Sequence, residues 1–187
     1  MRLVVGITGA SGAVYSWRLL QELNIRKVET LAIMTRNAEK ILKFELGKTP
    51  EDIYGLATEH YDIDDLTASV ASGSQPFDGM IVVPCSMGSV AAIAGGVSRN
   101  LLLRVAEVCI KEGRRLILVP RESPVSVIHL ENLLKLSRAG VIIMPACPGF
   151  YHRPKTIEAL VDFMVGRILV RLGFEQDLFE PWRGNVA

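Results

Sequence analysis

One stretch near the start of the chain decides the fold: Arg2-Leu3-Val4-Val5-Gly6-Ile7-Thr8-Gly9-Ala10-Ser11-Gly12. Its first part, Arg2–Ile7, is an apolar run that predicts a buried strand, and the glycine-rich turn Thr8–Gly12 follows directly. The pattern from Ala13 to Leu23 then predicts a helix. Such a turn points backbone N–H groups and the positive end of a helix at one spot, which suits a phosphate. A tight turn with only a packing role is the alternative.

The spacing of the glycines argues against a typical NAD site. Gly6, Gly9 and Gly12 are three residues apart. The dinucleotide fingerprint instead requires G-x-G-x-x-G and, about 20 residues later, an acidic residue at the end of the second strand. The predicted second strand ends in Ile33-Met34-Thr35-Arg36, which contains no carboxylate. A phosphate at this turn would therefore belong to another kind of ligand.

Apolar runs along the chain predict strands at 2–7, 28–34, 79–83, 115–119 and 141–144, and the segments between and after them carry helical patterns near 13–23, 37–46, 88–94, 100–112, 126–138 and 156–172. Continuous apolar strands that alternate with helices indicate an α/β fold, with a mostly parallel sheet covered by helices on both faces. We predict a single domain over 1–187, with 174–187 as a C-terminal tail. In such sheets ligands bind beyond the carboxyl ends of the strands.

Composition limits the classes of function. Hydrophobic residues make up 49% of the 187 residues, which predicts a large interface between identical subunits. The net charge of +1 gives no reason to expect nucleic acid or an anionic membrane as a partner. The uncharged stretch Gly79–Ser98 is long enough to span a bilayer. Because Pro84, Ser86 and Gly88 interrupt it, we predict a strand, a turn and a helix there, and no membrane span.

The cysteines and histidines predict neither disulfides nor a metal site. Cys85, Cys109 and Cys147 are odd in number and far apart, and the three histidines form no ligand pattern with them. Free thiols suit the reducing cytoplasm, and the N-terminus has no signal-peptide pattern. Cys85 could be a nucleophile, but no His–acid pair lies near it in sequence. A buried structural thiol is therefore favoured.

Three of the loops at the predicted strand ends carry polar side chains that could bind a ligand. In Pro84–Ser89, two hydroxyls and a glycine at a helix start can cap that helix, bind a ring or phosphate, or do both. In Pro120–Pro124, Arg121 suits an anion and Glu122 could donate a proton, although a salt-bridged turn is equally consistent. The rigid, aromatic-rich loop Pro145–Pro154 is more typical of a ligand lid than of a connector.

Charged residues on two apolar helices are further candidates. Arg104, Glu107 and Lys111 share one face of the helix at 100–112. That face meets either solvent, or a cleft or subunit contact. Arg167 lies in an otherwise mostly apolar run, where a buried cation would need a partner. That partner is either an acidic side chain, with Asp162 and Glu158 as candidates, or a phosphate.

Five segments together closely resemble the flavin prenyltransferases, the UbiX family, over nearly the whole chain. They are Thr8-Gly9-Ala10-Ser11-Gly12-Ala13, Pro84-Cys85-Ser86-Met87, Asn100-Leu101-Leu102, Arg121-Glu122-Ser123-Pro124 and Pro148-Gly149-Phe150-Tyr151-His152-Arg153-Pro154. The resemblance implies a Rossmann-like or flavodoxin-like domain in a homo-oligomer, with a dodecamer expected. The implied activity joins a dimethylallyl group from dimethylallyl phosphate to reduced FMN, at N5 and C6. The product, prenylated FMN, would serve UbiD-type decarboxylases, as in ubiquinone biosynthesis.

The resemblance also implies site residues. For FMN they are Gly9, Ala10, Ser11, Thr35, Ser86, Met87, Gly88, Ser89, Arg104 and Arg121. For dimethylallyl phosphate they are Lys111, Arg121, Glu122, Tyr151 and Arg167. The catalytic set is Glu122 as acid toward the phosphate, Glu45 or Ser11 for flavin protons, and Lys111, which with the arginines offsets charge on the leaving phosphate in place of a metal. No Asp-rich magnesium motif is present, which favours a monophosphate donor.

Two positions depart from the family pattern, and three different functions compete with this one. Thr35 replaces an expected Ser and keeps the hydroxyl, whereas Arg99 stands where an acidic residue is expected. An NADP-dependent reductase would need Tyr151 and Lys155 on one continuous helix, which Pro154 interrupts. An FMN-dependent cysteine decarboxylase would carry different loops at the strand ends. A non-catalytic FMN carrier is the third competing function.

Overall fold

The computed structural model describes residues 1–182 and 184. The chain forms two compact units, residues 1–145 and the segment from Ala146 onward. In the first unit the strands are β1 (Arg2–Ile7), β2 (Glu29–Met34), β3 (Glu59–Tyr61), β4 (Gly79–Cys85), β5 (Arg115–Pro120) and β6 (Ile142–Ile143). Its helices are α1 (Ala13–Ile25), α2 (Arg36–Leu46), α3 (Pro50–Tyr54), α4 (Met87–Ala94), α5 (Leu101–Lys111) and α6 (Val127–Arg138), and the second unit contains α7 (Ile157–Leu172).

The strands form one parallel sheet in the order β3-β2-β1-β4-β5-β6. The predicted α/β fold is therefore confirmed. The strand order reverses beside β1, because β2 follows it on one side and β4 on the other. Ligands of open α/β sheets bind beyond the strand ends at such a reversal.

Burial explains why the central strands were predictable. Every residue of β4 is buried, as is every residue of β1 after Arg2. The strands between two helical layers consequently read as continuous apolar runs. The edge strand β3 was missed because Glu59 and His60 are exposed and only Tyr61 is half-buried, so the strand gives no apolar signal. The helix α3, which has five residues, was also missed.

The segment 69–77 is rich in small and polar residues, yet it is anchored to the rest of the first unit. It begins with a 3-10 turn at Ser69–Ala71, and the side chains of Val70 and Phe77 are buried. The Arg104 side chain of α5 donates a hydrogen bond from Nε to the Ala71 carbonyl at 3.0 Å. Buried apolar side chains therefore hold this segment against the rest of the first unit.

The second unit consists of a loop, α7 and the tail that follows it. Thr156 caps α7 by accepting a hydrogen bond from the Ala159 N–H at 3.2 Å. In the tail, Phe179 packs on Phe163 of α7 with 4.7 Å between ring centroids. The tail therefore packs on α7 of the same unit, while part of the predicted tail 174–187 lies outside the described residues.

Among the described residues, no helix is both long enough and apolar enough to cross a membrane.

Candidate functional site

A cleft of about 400 Å³ lies at the carboxyl ends of β1, β2 and β4, where the strand order reverses. Its volume is in the range of small-molecule sites. The lining comes from the turn after β1, from the first turns of α2 and α4, from the segment after β3, and from the start of α5 with the residues before it: Thr8, Gly9, Thr35, Arg36, Asn37, Ile63, Asp64, Ser86, Gly88, Ser89, Ala92, Arg99, Asn100 and Leu103. Five residues predicted to contact FMN are in this set: Gly9, Thr35, Ser86, Gly88 and Ser89.

Three helices begin at this cleft, and each is capped by a side chain that lines it. Thr35, Ser86 and Asn100 are the N-caps of α2, α4 and α5. Each side-chain oxygen accepts a hydrogen bond from the backbone N–H three residues on, at 3.0 to 3.2 Å. Because each helix start carries a partial positive charge, the three together favour an anion in the cleft.

Thr8 joins the ends of β1 and β4 at the floor of the cleft. Its hydroxyl donates a hydrogen bond to the Pro84 carbonyl at 2.9 Å and accepts one from the Ser86 N–H at 2.7 Å. The side chain is almost fully buried, so its hydrogen bonds are shielded from water. Thr8 therefore fixes the start of α4 relative to the turn after β1.

Gly9 is required by close packing against α2. A Cβ built on Gly9 would lie 2.5 Å from the Cβ of Asn37 and 3.3 Å from its carbonyl carbon. Neither atom belongs to the flexible end of a side chain. The glycine thus allows the turn to approach the start of α2.

The start of α1 has a different partner from the one that the glycine-rich turn suggested. Its N-cap, Gly12, has no side chain to cap the helix. The Glu45 carboxylate accepts hydrogen bonds from the N–H groups of Gly12, at 3.0 Å, and Ala13, at 2.9 Å. The anion at this helix end is therefore the chain's own carboxylate, and the phosphate at the glycine-rich turn stays a prediction.

Three predicted contacts of this region do not line the cleft. Ala10 is buried, Ser11 is exposed in the turn, and the Met87 side chain is buried in the hydrophobic core. The predicted contacts at these positions remain predictions.

Two arginines line the cleft and have different surroundings. Arg36 lies 2.8 Å from Asp62, 3.3 Å from Glu39 and 3.5 Å from Asp64. The hydrogen bond and charge of Asp62 raise the pKa of the Arg36 guanidinium above its usual value. Arg99 is exposed, and its guanidinium has no ion pair or hydrogen bond within the described part of the chain.

Arg104 of α5 is engaged with protein groups. It lies 2.9 Å from the Glu107 carboxylate, in addition to its bond to the segment before β4. Hydrogen bonds from Ser98 and then from Arg104 lower the pKa of Glu107 below its ordinary value. The charged face predicted for this helix therefore exists, but Arg104 is absent from the lining of the cleft.

Lys111 is separated from the cleft by the length of α5. Asn100 caps the start of this 11-residue helix and Lys111 ends it, a distance of about 16 Å at 1.5 Å per residue. The Lys111 ammonium pairs with Glu112 instead. Within one chain, the structure does not bring Lys111 to the residues that line the cleft.

Arg121 and Glu122 lie beyond β5, on the same edge of the sheet. The Arg121 N–H donates a hydrogen bond to the Cys85 carbonyl at 3.2 Å, which places the loop beside the end of β4. Both side chains are exposed. Glu122 accepts a hydrogen bond from the Ser123 N–H at 3.0 Å. The pair lies at the carboxyl edge of the sheet, outside the lining of the cleft.

Tyr151 and Arg167 belong to the second unit. Tyr151 is 40% exposed and meets the rings of His152, Phe163 and Trp182 edge-on. The Arg167 guanidinium is exposed on α7 and pairs with no other described residue. The acidic partner considered from sequence, Asp162 or Glu158, is therefore not found for Arg167 among the described residues, and the guanidinium is exposed where burial was expected.

Cys85 is a buried structural thiol. It is fully buried in the core, and burial raises its pKa to about 12. A thiol in this state is protonated at neutral pH and is a poor nucleophile. Within the described part of the chain, no three His, Cys, Asp or Glu residues group as metal ligands would.

Nine of the fourteen lining residues were not among the predicted FMN contacts, and three of these nine, Thr8, Asn37 and Asn100, bring uncharged polar side chains to the cleft. Asn100 carried a usable signal, because an Asn immediately before an apolar helical run is a typical N-cap. Thr8 belongs to the turn that the sequence predicts to bind a ligand, but the part played by its side chain and by that of Asn37 depends on how the strand ends meet.

Comparison with known proteins agrees with this geometry. The family model described as Flavoprotein matches residues 1–169. The flavin prenyltransferase UbiX of Methanothermobacter thermautotrophicus is 47% identical over 183 residues, 98% of this chain and 96% of that protein. The crystal structure of AnUbiX (PadA1) in complex with FMN and dimethylallyl pyrophosphate is 45% identical, with a TM-score of 0.96 over 98% of this chain and 97% of that one.

A second solved structure is similar to this chain in sequence and fold. The dodecameric FMN-dependent UbiX-like decarboxylase from Escherichia coli O157:H7 is 43% identical, with a TM-score of 0.96 over 98% of this chain and all of that one.

Proposed function

The chain belongs to the flavoprotein family and, within it, to the flavin prenyltransferases, and on this basis we propose how its cleft serves the reaction. The protein binds FMN and is a transferase that makes prenylated FMN. We propose that the cleft between the starts of α2, α4 and α5 holds the phosphate end of FMN. The observation that carries this assignment is the convergence of the three N-caps Thr35, Ser86 and Asn100.

The residues of the cleft fit a flavin mononucleotide. Three helix starts favour the phosphate. The hydroxyls of Ser86 and Ser89 lie 3.0 Å apart at the N-terminus of α4 and can reorient toward a ligand. The close approach of Gly9 to Asn37 narrows the cleft beside β1. FMN has a single phosphate, so the cleft needs no second phosphate site. The absence of a carboxylate at the end of β2, which a typical dinucleotide site requires, agrees with this.

The donor would be dimethylallyl phosphate, held by cations and an aromatic ring. We assign its phosphate to Arg121, Lys111 and Arg167, with Tyr151 beside it. Positive groups fixed in advance stabilise the charge that grows on a leaving phosphate. Glu122, exposed on the same loop as Arg121, would supply the proton to that phosphate.

Reduced FMN supplies the electron-rich ring, whose N5 and C6 we propose as the positions that receive the prenyl group. Ser11 and Glu45 would handle protons on the flavin side of the site. Glu45 is held by the N–H groups of Gly12 and Ala13, so its carboxylate has a fixed position. Arg104, on the charged face of α5, would contact FMN.

The complete site would form between subunits of a homo-oligomer, and we propose a dodecamer. The related UbiX-like decarboxylase from Escherichia coli O157:H7 is dodecameric. In this chain α6 leaves Val127, Ile128, Leu130 and Leu134 exposed, an apolar surface that a second copy can cover. Lys111 is far from the cleft of its own chain, which supports a site completed by a neighbouring copy.

We further propose that residues 1–187 act as one flavoprotein domain, that the protein works in the cytoplasm, and that its product passes to a UbiD-type decarboxylase. A cysteine decarboxylase or an FMN carrier would use the same flavin cleft without transferring a prenyl group.

Titration with FMN and with riboflavin tests the assignment of the cleft. Thr35→Val removes the hydroxyl that caps α2 at constant size, whereas Thr35→Ser keeps it and serves as the control. We expect Thr35→Val to weaken FMN binding several-fold more than riboflavin binding, and Thr35→Ser to leave both nearly unchanged. Equal loss for FMN and riboflavin would place the phosphate elsewhere.

A further inference from the structure

Arg99 is the side chain in the cleft whose role the function described above does not explain. It lines the cleft directly before Asn100, the N-cap of α5. It is exposed, and within the described part of the chain its guanidinium forms no ion pair and no hydrogen bond. An arginine held at a ligand cleft without a protein partner is available to the ligand.

The contrast with Arg36 shows why Arg99 matters to the charge of the cleft. Arg36 lines the same cleft but has the carboxylates of Asp62, Glu39 and Asp64 within 2.8 to 3.5 Å. Its positive charge is therefore offset by protein groups and is little available to a ligand. Among the described residues no carboxylate pairs with Arg99, so its positive charge is more available to a ligand than that of Arg36.

The chemistry of guanidinium selects the kind of group that Arg99 would bind. Its planar fork of N–H donors matches two oxygens of a phosphate, and hydrogen bonds between charged groups are shorter and stronger than neutral ones. The three helix starts beside it supply backbone N–H donors to the same region. A phosphomonoester, which carries close to two negative charges at neutral pH, is the ligand group that uses both.

We propose that Arg99 binds the phosphate of FMN and makes this cleft discriminate the nucleotide from riboflavin, the same flavin without phosphate. This inference rests on the assignment of the cleft to FMN. It adds a binding residue at the position where the family resemblance leads one to expect an acidic side chain. An acid there would repel the phosphate, whereas the guanidinium of Arg99 attracts it.

The test compares FMN and riboflavin affinities, measured by quenching of flavin fluorescence, in Arg99→Ala, Arg99→Lys and Arg99→Asp. Arg99→Ala should weaken FMN binding about 10-fold, equivalent to about 1.4 kcal/mol. Arg99→Asp should weaken it further, and Arg99→Lys should recover part of the loss because it keeps the charge without the fork. Riboflavin binding should change less than about 2-fold in all three, because riboflavin lacks the phosphate that the charge attracts.

Arg138→Ala is the matched control. Arg138 is exposed at the end of α6, the helix that leads into β6, so it lies near the amino edge of the sheet and away from the cleft. The variant therefore changes the net charge equally without touching the site, and we expect unchanged FMN affinity. Raising the salt concentration should weaken FMN binding to the natural protein more steeply than to Arg99→Ala.

Three outcomes would overturn the proposal. Unchanged FMN affinity in Arg99→Ala would remove Arg99 from the phosphate site while leaving FMN binding and the proposed function intact. Equal losses for FMN and riboflavin would mean that the arginine shapes the cleft without contacting phosphate. A smaller oligomer by light scattering, at unchanged FMN affinity, would assign Arg99 to a subunit contact. Failure of the natural protein to bind FMN would instead contradict the proposed function itself.

Discussion

One carboxylate oxygen of Glu45 lies 3.0 Å from the backbone nitrogen of Gly12, although the two residues are 33 positions apart in the chain. The same oxygen accepts the N–H of Ala13 at 2.9 Å. The end of α2 thereby caps the start of α1, which has no capping side chain of its own. An acidic side chain also interacts favourably with the positive end of a helix.

Glu45→Ala should therefore lower the stability of the fold. The loss of a helix cap typically costs about 1 kcal/mol in unfolding free energy. Glu45→Gln keeps one acceptor oxygen and should lose less. Lys40→Ala, an exposed change on the same helix, is the control and should have little effect. Chemical denaturation measures all three, and equal stability of Glu45→Ala and the natural protein would show that the contact contributes nothing.

Gly9→Ala should disturb the cleft and weaken FMN binding. The added methyl would lie 2.5 Å from the Asn37 Cβ, so the turn and the start of α2 must move apart. Gly88→Ala is the control for stability, because a Cβ on Gly88 meets nothing closer than the Ser86 hydroxyl at 4.0 Å. In a helix, Ala is favoured over Gly by about 1 kcal/mol. A Gly9→Ala protein with natural FMN affinity and melting temperature would contradict the close packing.

Stability should fall at alkaline pH because two thiols are buried. Burial raises the pKa of Cys85 and that of Cys109 to about 12. In the unfolded chain a thiol ionises near pH 8.5. Between these pH values the folded state holds protons that the unfolded state releases. The contribution of the two thiols to the free energy of unfolding is therefore fully present below about pH 8.5 and is lost as pH rises toward 12. The slope is at most about 1.4 kcal/mol per pH unit for each thiol.

Cys85→Ala should flatten this dependence, measured as unfolding free energy from pH 8 to pH 10.5. Its stability at pH 8 can fall because a core side chain is truncated, but the readout is the slope. Cys147→Ala removes the exposed thiol and should leave the slope unchanged. The same slope in Cys85→Ala as in the natural protein would show that the Cys85 thiol does not cause the dependence.

Arg167→Ala should abolish prenyl transfer while FMN still binds. The guanidinium is exposed on α7 and pairs with no other described residue, which leaves it available to the donor phosphate. The bound donor phosphate would cover this guanidinium, and loss of a charge-assisted partner in such a complex costs about 2–5 kcal/mol, or roughly 30- to 4000-fold in rate. Melting temperature, FMN affinity and single-turnover rate are measured on one sample. A folded, FMN-loaded variant with a natural rate would remove Arg167 from the site.

Much of the fold could be predicted because its signals are local. The runs that became β1, β2, β4 and β5 are apolar on both faces, since helices cover both sides of the sheet. By contrast, β3 lies at the sheet edge with polar side chains, and its pairing with β2 is a tertiary effect. The Glu45 carboxylate at the start of α1 could not be predicted either, because Glu45 reaches Gly12 only after α2 has packed beside α1.

The cleft was predictable in position but not in detail. Thr35 and Ser86 stand at strand ends and at helix starts, which local pattern identifies. The sequence could not show which of the two arginines is available to a ligand. The difference is that Asp62 and its neighbours surround Arg36 and not Arg99. That difference depends on how the segment after β3 folds back toward α2.

The most direct test of prenyl transfer by this protein is a single anaerobic reaction. The purified protein is incubated with reduced FMN and dimethylallyl phosphate, with parallel samples that contain the diphosphate or no donor, and the flavin is then analysed by mass spectrometry. We predict a flavin heavier by one five-carbon unit in the monophosphate sample and unchanged FMN without donor. Recovery of unchanged FMN from both donor samples, in a protein that demonstrably binds FMN, would contradict prenyl transfer and favour a flavin carrier or a decarboxylase.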